Sequence, residues 1–300
     1  MKLDICQTKA QPDPYVIKSG GKYYMYVTGR DGVGLYASND MKKWTDLGVC
    51  FTRSGHKNFW APAVTEIEGM YYLYYSSMPS GETDTHLERL SVAVSDRPEG
   101  PFVFIKEIAQ PFSIDPHTVI SGGELYIFYS VNDYDAERAG TLIVVDKMKN
   151  PTELCGSPKV VVRATLDQEI FKRDRFKQGQ QWHTLEGAFY FRKGNYHYLT
   201  YSGNCYENEN YYIGYAVAEG DTADLTALDF KKYPSDDIYA PLIAKNDTEE
   251  GTGHNSILED GGKLYLFYHG RDYGNDRGDR RTARVCEIAA ENGKLLVIKR

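Results

Sequence analysis

The sequence has little cysteine, and none of it lies in a CxxC pair. Its five cysteines are odd in number and scattered over 300 residues. This pattern argues against a disulfide framework and against a zinc site, and it fits a reducing compartment. The residues concerned are Cys6, Cys50, Cys155, Cys205 and Cys286.

Clustered positive charge and long apolar runs are also lacking. The net charge is −7, and no group of Lys or Arg is interleaved with aromatic residues, which argues against a nucleic-acid partner. No stretch approaches the ~20 apolar residues of a membrane span, and the first residues contain no apolar signal-peptide core. We therefore expect no membrane partner and, if the start is native, a cytoplasmic protein. A chain whose signal peptide had been removed would look the same.

Helical patterns are scarce, whereas tyrosine is abundant. The 25 tyrosines outnumber the 12 phenylalanines and 3 tryptophans. Tyrosine suits half-buried strands and, with its polar tip, the walls of sugar-binding clefts. Hydrophobic and charged residues make up 41% and 26% of the chain, as in an ordinary globular protein. No linker-like segment divides the sequence, so we expect a single domain over residues 1–300.

One strand–turn–strand pattern occurs five times. The copies begin at Asp13, Ala61, Asp115, Glu186 and His254, as in DPYVIKSGGKYYMYVTG and HNSILEDGGKLYLFYHG. Each turn contains glycine, which supplies the positive φ angles of a tight hairpin. In all five copies a tyrosine or leucine of the second strand lies ten positions beyond the start. A β-sandwich does not predict a repeat in register. The pattern predicts an all-β fold, a five-bladed β-propeller.

Three segments outside the repeat have predicted roles. The charged stretch from Asp146 to Gln181 is the least repetitive, and we expect it to be a long excursion between blades. The segments Met1–Gln11 and Arg281–Arg300 are expected to help close the ring, because a propeller must join its ends.

The repeat places the first residue of each copy near one rim of the central channel. Asp13, Asp115, Glu186 and His254 would therefore converge at the mouth of one funnel. An isolated Asp-Pro is usually turn chemistry, but turn chemistry does not explain acids in three copies of five. Clustered like charges cost stability unless a site uses them. The acids could also bind Ca²⁺, although no DxDxDG-type spacing is present.

Converging carboxylates suit the cleavage of a glycosidic bond. One group must be protonated to donate to the leaving oxygen, and a second must be ionised to activate water or attack the anomeric carbon. A third can raise the pKa of the first. A propeller that binds sugar or protein without cleaving it is the alternative of another class, and the retained acids weigh against it.

At these residues the chain resembles glycoside hydrolase family 43, whose five-bladed enzymes act on arabinans and xylans. The resemblance extends from DPYVIKSGGKYYMY to RTARV near the C-terminus. It implies that Asp13 is the general base and that Glu186 in TLEGAFYF is the general acid. It also implies that Asp115 in SIDPHTVISGGELY orients the acid and tunes its pKa.

The same resemblance implies three substrate-binding residues. Trp60 in FWAPAV would form a wall of the sugar pocket, and His254 in GHNSILEDGGKLY would lie near its floor. Arg281 in RTAR would reach the substrate. Arg271 and Arg284 are the alternatives for the role of this arginine.

By this resemblance the reaction is inverting hydrolysis of an oligosaccharide by an exo-acting α-L-arabinofuranosidase. RTARV and YENENYYIGYAVA are similar to segments of the single-domain family members. A β-xylosidase or endo-arabinanase of the family is the alternative. We expect no required cofactor and no catalytic metal, with a structural Ca²⁺ near His254 as an alternative. The sequence leaves the oligomeric state open.

Overall fold

The computed structural model describes residues 2–5, 9–274 and 280–300, which form strands and three short 3₁₀ helices. Cys6, considered above, lies outside the described residues, whereas the other four cysteines are free thiols. No helix in the described part of the chain is long and apolar enough to cross a membrane.

The strands follow one another as antiparallel sheets that form the blades of a propeller. Blades 1, 2 and 5 are separate four-stranded sheets in which each strand pairs with the next along the chain. Their strands are β1 (Tyr15–Ser19), β2 (Lys22–Val27), β3 (Val33–Ser38) and β4 (Thr45–Phe51); β5 (His56–Ile67), β6 (Met70–Pro79), β7 (Arg89–Ser95) and β8 (Val103–Glu107); and β19 (Glu249–Asp260), β20 (Lys263–Asp272), β21 (Thr282–Glu291) and β22 (Lys294–Lys299).

Blades 3 and 4 are joined by a short parallel pairing of β11 with β15, from Gly140–His183 to Thr141–Thr184. The 3₁₀ helices span Thr85–Leu87, Asp167–Glu169 and Leu225–Ala227. The strands of these two blades are β9 (Ser113–Ser121), β10 (Glu124–Asp133), β11 (Gly140–Asn150), β12 (Glu153–Leu154), β13 (Lys159–Val162), β14 (Ile170–Arg173), β15 (Gln181–Lys193), β16 (Tyr196–Gly203), β17 (Tyr212–Glu219) and β18 (Lys231–Lys232).

The prediction of a long excursion from Asp146 to Gln181 was wrong in part. Strands β12 and β13 pair with β11 and complete blade 3, and β14 pairs with β15. The short apolar run of β13, KVVV, pairs with Ile143, Val144 and Val145. A strand this short depends on pairing with its neighbour for its stability. Its own four residues are too few to show a recognisable sequence pattern.

Aromatic side chains pack between neighbouring blades. Phe51, Phe59 and Tyr75 lie between blades 1 and 2, with ring centroids 4.9, 5.7 and 5.8 Å apart. All three are buried. Because burying one such side chain contributes about 1.5–3 kcal/mol, these layers between blades form the hydrophobic core that holds the inner strands in place.

The N-terminal segment lies along the last blade. Lys2 forms a bridge with Arg284, and the backbone N–H of Leu3 donates to the carbonyl of Ala283. Gln11 N–H donates to the carbonyl of Arg281 at 2.8 Å. The predicted contact between the two ends of the chain is therefore confirmed for these residues.

In four blades the residue that begins the repeat has a left-handed backbone. Its φ is +53° at Asp13, +45° at Ala61, +59° at Asp115 and +45° at His254. Residues other than glycine rarely adopt this conformation. In blades 2, 3 and 5 the strand pairing also shifts at this point, as in a β-bulge. Such a bulge re-aims a side chain, and Asp13, Asp115 and His254 all line one pocket.

Blade 4 departs from the sequence-based alignment by one residue. Its left-handed residue is Gly187, with φ of +65°, rather than Glu186. Gly187 lies six positions before Lys193, the last paired residue of its strand, just as Asp13 lies six positions before Ser19. The predicted equivalence of Glu186 with Asp13 was therefore wrong.

The cause of the shift lies in the turn. In blade 1, Lys22 stands between the Gly-Gly turn and the first aromatic residue, Tyr23, whereas Tyr196 follows its turn directly. Glu186 thus occupies the position before the left-handed residue. The residues at that position, in chain order, are Pro12, Trp60, Ile114, Glu186 and Gly253.

Candidate active site

The carboxylate of Asp13 is held by four side chains. Thr28 Oγ1 donates to Oδ2 at 2.5 Å, and Arg281 Nη1 donates to Oδ1 at 3.3 Å. The Nδ1 atoms of His269 and His254 lie 3.1 and 3.5 Å from Oδ1. Asp13 is buried, so these contacts replace the water that an exposed carboxylate would bind.

These neighbours keep Asp13 ionised. Burial alone raises the pKa of Asp13, but the charges of His254 and Arg281 and the hydrogen bond of His269 bring that pKa well below its usual range. Burial also lowers the pKa of His254 and brings that of His269 to about 4. At neutral pH the permanent cation beside Asp13 is therefore Arg281.

Glu186 has the opposite electrostatic setting. Tyr211 donates a hydrogen bond from its hydroxyl to Glu186 Oε1 at 2.8 Å. Burial, together with the charge of Asp13, raises the pKa of Glu186 to about 7, although Tyr211, Arg281 and Arg175 act to lower it. Near neutral pH this group exchanges a proton readily, as a general acid must.

Asp115 lies beside the same strand as Glu186. The backbone N–H of Gly187 donates to Asp115 Oδ2 at 3.0 Å, and His254 Nδ1 lies 3.8 Å from the same oxygen. Burial raises the pKa of Asp115 well above its usual value, and the charges of Glu186 and Asp13 raise it further. The three carboxyl groups therefore do not ionise together, because burial and mutual repulsion separate their titrations.

The carboxyl groups share one small cavity of about 90 Å³. This volume is well below the ~300–1,000 Å³ of sites for drug-sized ligands. All six residues singled out in the sequence line it. The complete lining is Asp13, Thr28, Trp60, Ile114, Asp115, Glu186, Tyr206, Tyr211, His254 and Arg281.

The structure separates the three candidate arginines. Arg281 lines the pocket, and its guanidinium lies 4.1 Å from the ring centroid of Tyr206. Arg271 donates to the backbone carbonyl of Tyr206 at 2.7 Å and so supports the pocket wall from behind. Arg284 pairs with Glu249 at 2.9 Å, away from the cavity.

Three residues of the site escaped the sequence analysis. Thr28, Tyr211 and His269 each contact a carboxyl group, yet none occupies the start of a repeat. Thr28 directly follows β2, the second strand of blade 1, and His269 lies near the end of β20, the second strand of blade 5. Tyr211 lies just before β17. The segment LFYHG contained His269, but its contact with Asp13 spans 256 positions of the chain. No local pattern carries that information.

The structure does not test the Ca²⁺ ion predicted near His254, which stays a prediction. Ca²⁺ takes about 6–8 oxygen ligands, whereas the contacts of the His254 ring are with Asp13 and Asp115. Within residues 2–5, 9–274 and 280–300, no group of three or more His, Cys, Asp or Glu is arranged to hold a metal ion. We therefore derive no step through a metal.

Comparison with known proteins places this site in a family. A sequence model of the glycosyl hydrolases family 43 matches residues 6–291. The chain belongs to this family. The family predicted from the Asp13, Asp115 and Glu186 motifs is thereby confirmed.

Relatives in family 43 cover most of the chain. An extracellular exo-α-(1→5)-L-arabinofuranosidase of Streptomyces avermitilis is 27% identical over 287 residues, which cover 89% of this chain and 56% of the relative. A probable arabinan endo-1,5-α-L-arabinosidase C of Aspergillus clavatus is 26% identical, covering 87% of this chain and 82% of that protein. The chain thus spans about half the length of the Streptomyces relative.

The fold also matches that of family 43. The crystal structure of a thermostable family-43 glycoside hydrolase superimposes with a TM-score of 0.81 at 29% identity, covering 97% of this chain and 93% of the other. This likeness confirms the predicted all-β propeller.

Proposed function

We propose that this family 43 protein is an exo-acting, inverting α-L-arabinofuranosidase that releases arabinose from arabino-oligosaccharides or arabinoxylan fragments. One observation carries the proposal. Asp13, which is buried, and Glu186, which is half-buried, line the same pocket, and their pKa values are displaced in opposite directions. A carboxylate that stays ionised and a carboxyl group that holds a proton near neutral pH are the two groups that glycoside hydrolysis needs.

In the proposed reaction Asp13 accepts a proton from a water molecule as that water attacks the anomeric carbon. Glu186 donates its proton to the departing glycosidic oxygen on the other face of the sugar. Inversion follows because the water and the leaving group occupy opposite faces. Asp115 orients the backbone next to Glu186 through Gly187. Free arabinose and the shortened oligosaccharide are the products.

The pocket supports action at a chain end. Its small volume suits a single sugar ring better than a continuous chain. Trp60 offers that ring an apolar face, and Arg281 offers hydrogen-bond donors to its hydroxyl groups. The Streptomyces relative, whose name describes exo cleavage of α-(1→5)-linked arabinofuranosides, supports the choice of arabinose.

The test compares p-nitrophenyl α-L-arabinofuranoside with p-nitrophenyl β-D-xyloside for the wild type and for Glu186→Ala. We expect faster release from the arabinofuranoside and loss of that release in the variant. A faster rate on the xyloside would reassign the protein as a β-xylosidase. Cleavage of arabinan without cleavage of either aryl glycoside would reassign it as an endo-arabinanase, and a protein inactive on all three would be a binding propeller.

The stereochemistry is tested separately. Proton NMR during the first minutes of hydrolysis identifies the anomer of arabinose released from the α-linked substrate. We expect β-arabinofuranose first. Initial release of the α-anomer would contradict the roles proposed for Asp13 and the attacking water.

A further inference from the structure

Tyr211 occupies space that a side chain of blade 5 would otherwise fill. Gly253 is the blade 5 counterpart of Glu186 and Trp60, the residues before the left-handed position, but it has no side chain. A Cβ atom on Gly253 would lie 1.9 Å from the Tyr211 ring. The absence of a side chain at Gly253 therefore lets Tyr211 reach the pocket from the blade 4 loop.

The Tyr211 ring stacks with the ring of His269. The two ring centroids are 5.7 Å apart and the rings are nearly parallel, at 16°. His269 is the strand partner of Gly253. Both Tyr211 and His269 are buried, at 1% and 0% exposure, so little free space surrounds either ring.

Each ring holds one of the two reacting carboxyl groups. The Tyr211 hydroxyl donates to Glu186 Oε1 at 2.8 Å. His269 Nδ1 lies 3.1 Å from Asp13 Oδ1 and 3.2 Å from the backbone nitrogen of Asp13. His269 thus contacts Asp13 at both its side chain and its backbone.

We propose that His269 and Tyr211 form a stacked positioning pair that fixes Asp13 and Glu186 relative to each other. Neither residue reacts. His269 sets the place of the base, Tyr211 sets the place of the acid, and the stacking makes the two placements interdependent. This inference rests on the proposed function, since it assigns roles within the same reaction.

The pair matters because the two carboxyl groups act on opposite faces of one sugar. A displacement of about 1 Å in a reacting group can cost ~100-fold in rate. The other groups facing Asp13 are Thr28, Arg281 and His254. Those whose charge acts on Glu186 are Asp13, Arg281 and Arg175. Arg281 acts on both carboxyl groups through its charge, whereas the Tyr211–His269 ring contact joins the hydrogen-bond donor of Glu186 to a neighbour of Asp13.

Three variants separate the contacts of the pair. His269→Phe keeps a flat ring against Tyr211 but removes the nitrogen near Asp13. His269→Asn keeps a polar atom close to the place of Nδ1 but removes the ring. Tyr211→Phe keeps the ring and removes the donor to Glu186. Each is compared with the wild type in kcat/KM against pH on p-nitrophenyl α-L-arabinofuranoside, after circular dichroism has established that it is folded.

The expected shifts differ between the variants. In His269→Phe the acid limb of the kcat/KM profile moves to higher pH, because a contact that lowers the pKa of Asp13 is gone. In Tyr211→Phe the alkaline limb moves to higher pH, because the hydrogen bond that lowers the pKa of Glu186 is gone. In His269→Asn the alkaline limb also moves, although His269 does not contact Glu186, and this shift is the signature of the stack. Each variant loses at least ~10-fold in kcat/KM.

A further variant keeps the proposal testable if the His269 variants do not fold. Gly253→Ala crowds the Tyr211 ring while the residue at position 269 remains histidine, and it is expected to move the alkaline limb as Tyr211→Phe does. Gly81→Ala is its matched control, because a Cβ there meets nothing within 4 Å. Losses of rate without any shift of either limb would overturn the proposal and leave the pair a structural role. A wild type inactive on the substrate would instead contradict the proposed function.

Discussion

The backbone N–H of Gly187 donates to Oδ2 of Asp115 at 3.0 Å. This bond ties blade 3 to the residue that immediately follows Glu186 in blade 4. A side chain at residue 187 would crowd the ring of His254, since a Cβ there would lie 3.1 Å from His254 Nδ1. Glycine also permits the φ of +65° at this position. Asp115 is therefore linked to Glu186 through the backbone as well as through the interaction of their charges.

Asp115 is accordingly expected to tolerate Asn better than Ala. Asn retains an oxygen that accepts the Gly187 N–H, whereas Ala leaves that buried donor without a partner, at a cost of about 1–3 kcal/mol. We expect Asp115→Asn to keep at least ~10-fold more kcat than Asp115→Ala. Equal losses in the two variants would show that the charge of Asp115 matters rather than its hydrogen bond. An alkaline limb that moves in Asp115→Asn would point the same way.

The pH dependence of kcat/KM should be strongly asymmetric. The pKa of Glu186 is raised to about 7, so the proton it donates is present below that pH and lost above it. The pKa of Asp13 is well below its usual range, so the base stays ionised far into acid. We expect an alkaline limb near pH 7 and no acid limb above about pH 4. A bell centred near pH 4 would contradict both assignments.

Thr28 links the base to the neighbouring blade. Its hydroxyl donates to Asp13 Oδ2 at 2.5 Å and accepts the backbone N–H of Ala61 at 2.7 Å. Thr28→Val keeps the shape but leaves both groups without this partner. We expect a loss of about 1–3 kcal/mol in the free energy of unfolding and a fall in kcat. Thr28→Ser, which keeps the hydroxyl, is the control, and equal behaviour of the two variants would contradict the bridging role.

Glu88 should make stability depend on pH. It is fully buried, and within the described residues neither of its carboxyl oxygens has a hydrogen-bond partner. Burial raises its pKa to about 9. The folded state therefore holds this proton between about pH 4.5 and 9 while the unfolded chain releases it, and the free energy of unfolding falls as pH rises through that window.

The substitution Glu88→Gln removes this titration. Denaturant unfolding of wild type and variant at several pH values should show the variant gaining stability relative to the wild type from pH 5 to pH 9. Asp229→Asn, an exposed exchange in the loop before β18, is the control for the change in net charge. Parallel curves for wild type and Glu88→Gln would mean that Glu88 is ionised in the folded protein.

The propeller and the candidate acids could be predicted from the sequence alone. Glycine-containing turns recur in register because every blade needs the same tight hairpin at the same point. Asp13, Asp115, Glu186, Trp60, His254 and Arg281 were all found from motifs, and all of them line the pocket. A repeated local pattern can be read from the chain because each copy has the same local cause.

The register of blade 4 and the contacts that set the protonation states became visible in the folded protein. A difference of one residue in the turn places Glu186 one position before the counterpart of Asp13. The strand–turn–strand motif does not reveal this difference. Thr28, Tyr211 and His269 reach the carboxyl groups from other strands and loops, over separations of up to 256 residues. A pKa depends on burial and on the charges nearby, and ring closure rather than any local sequence brings those charges together.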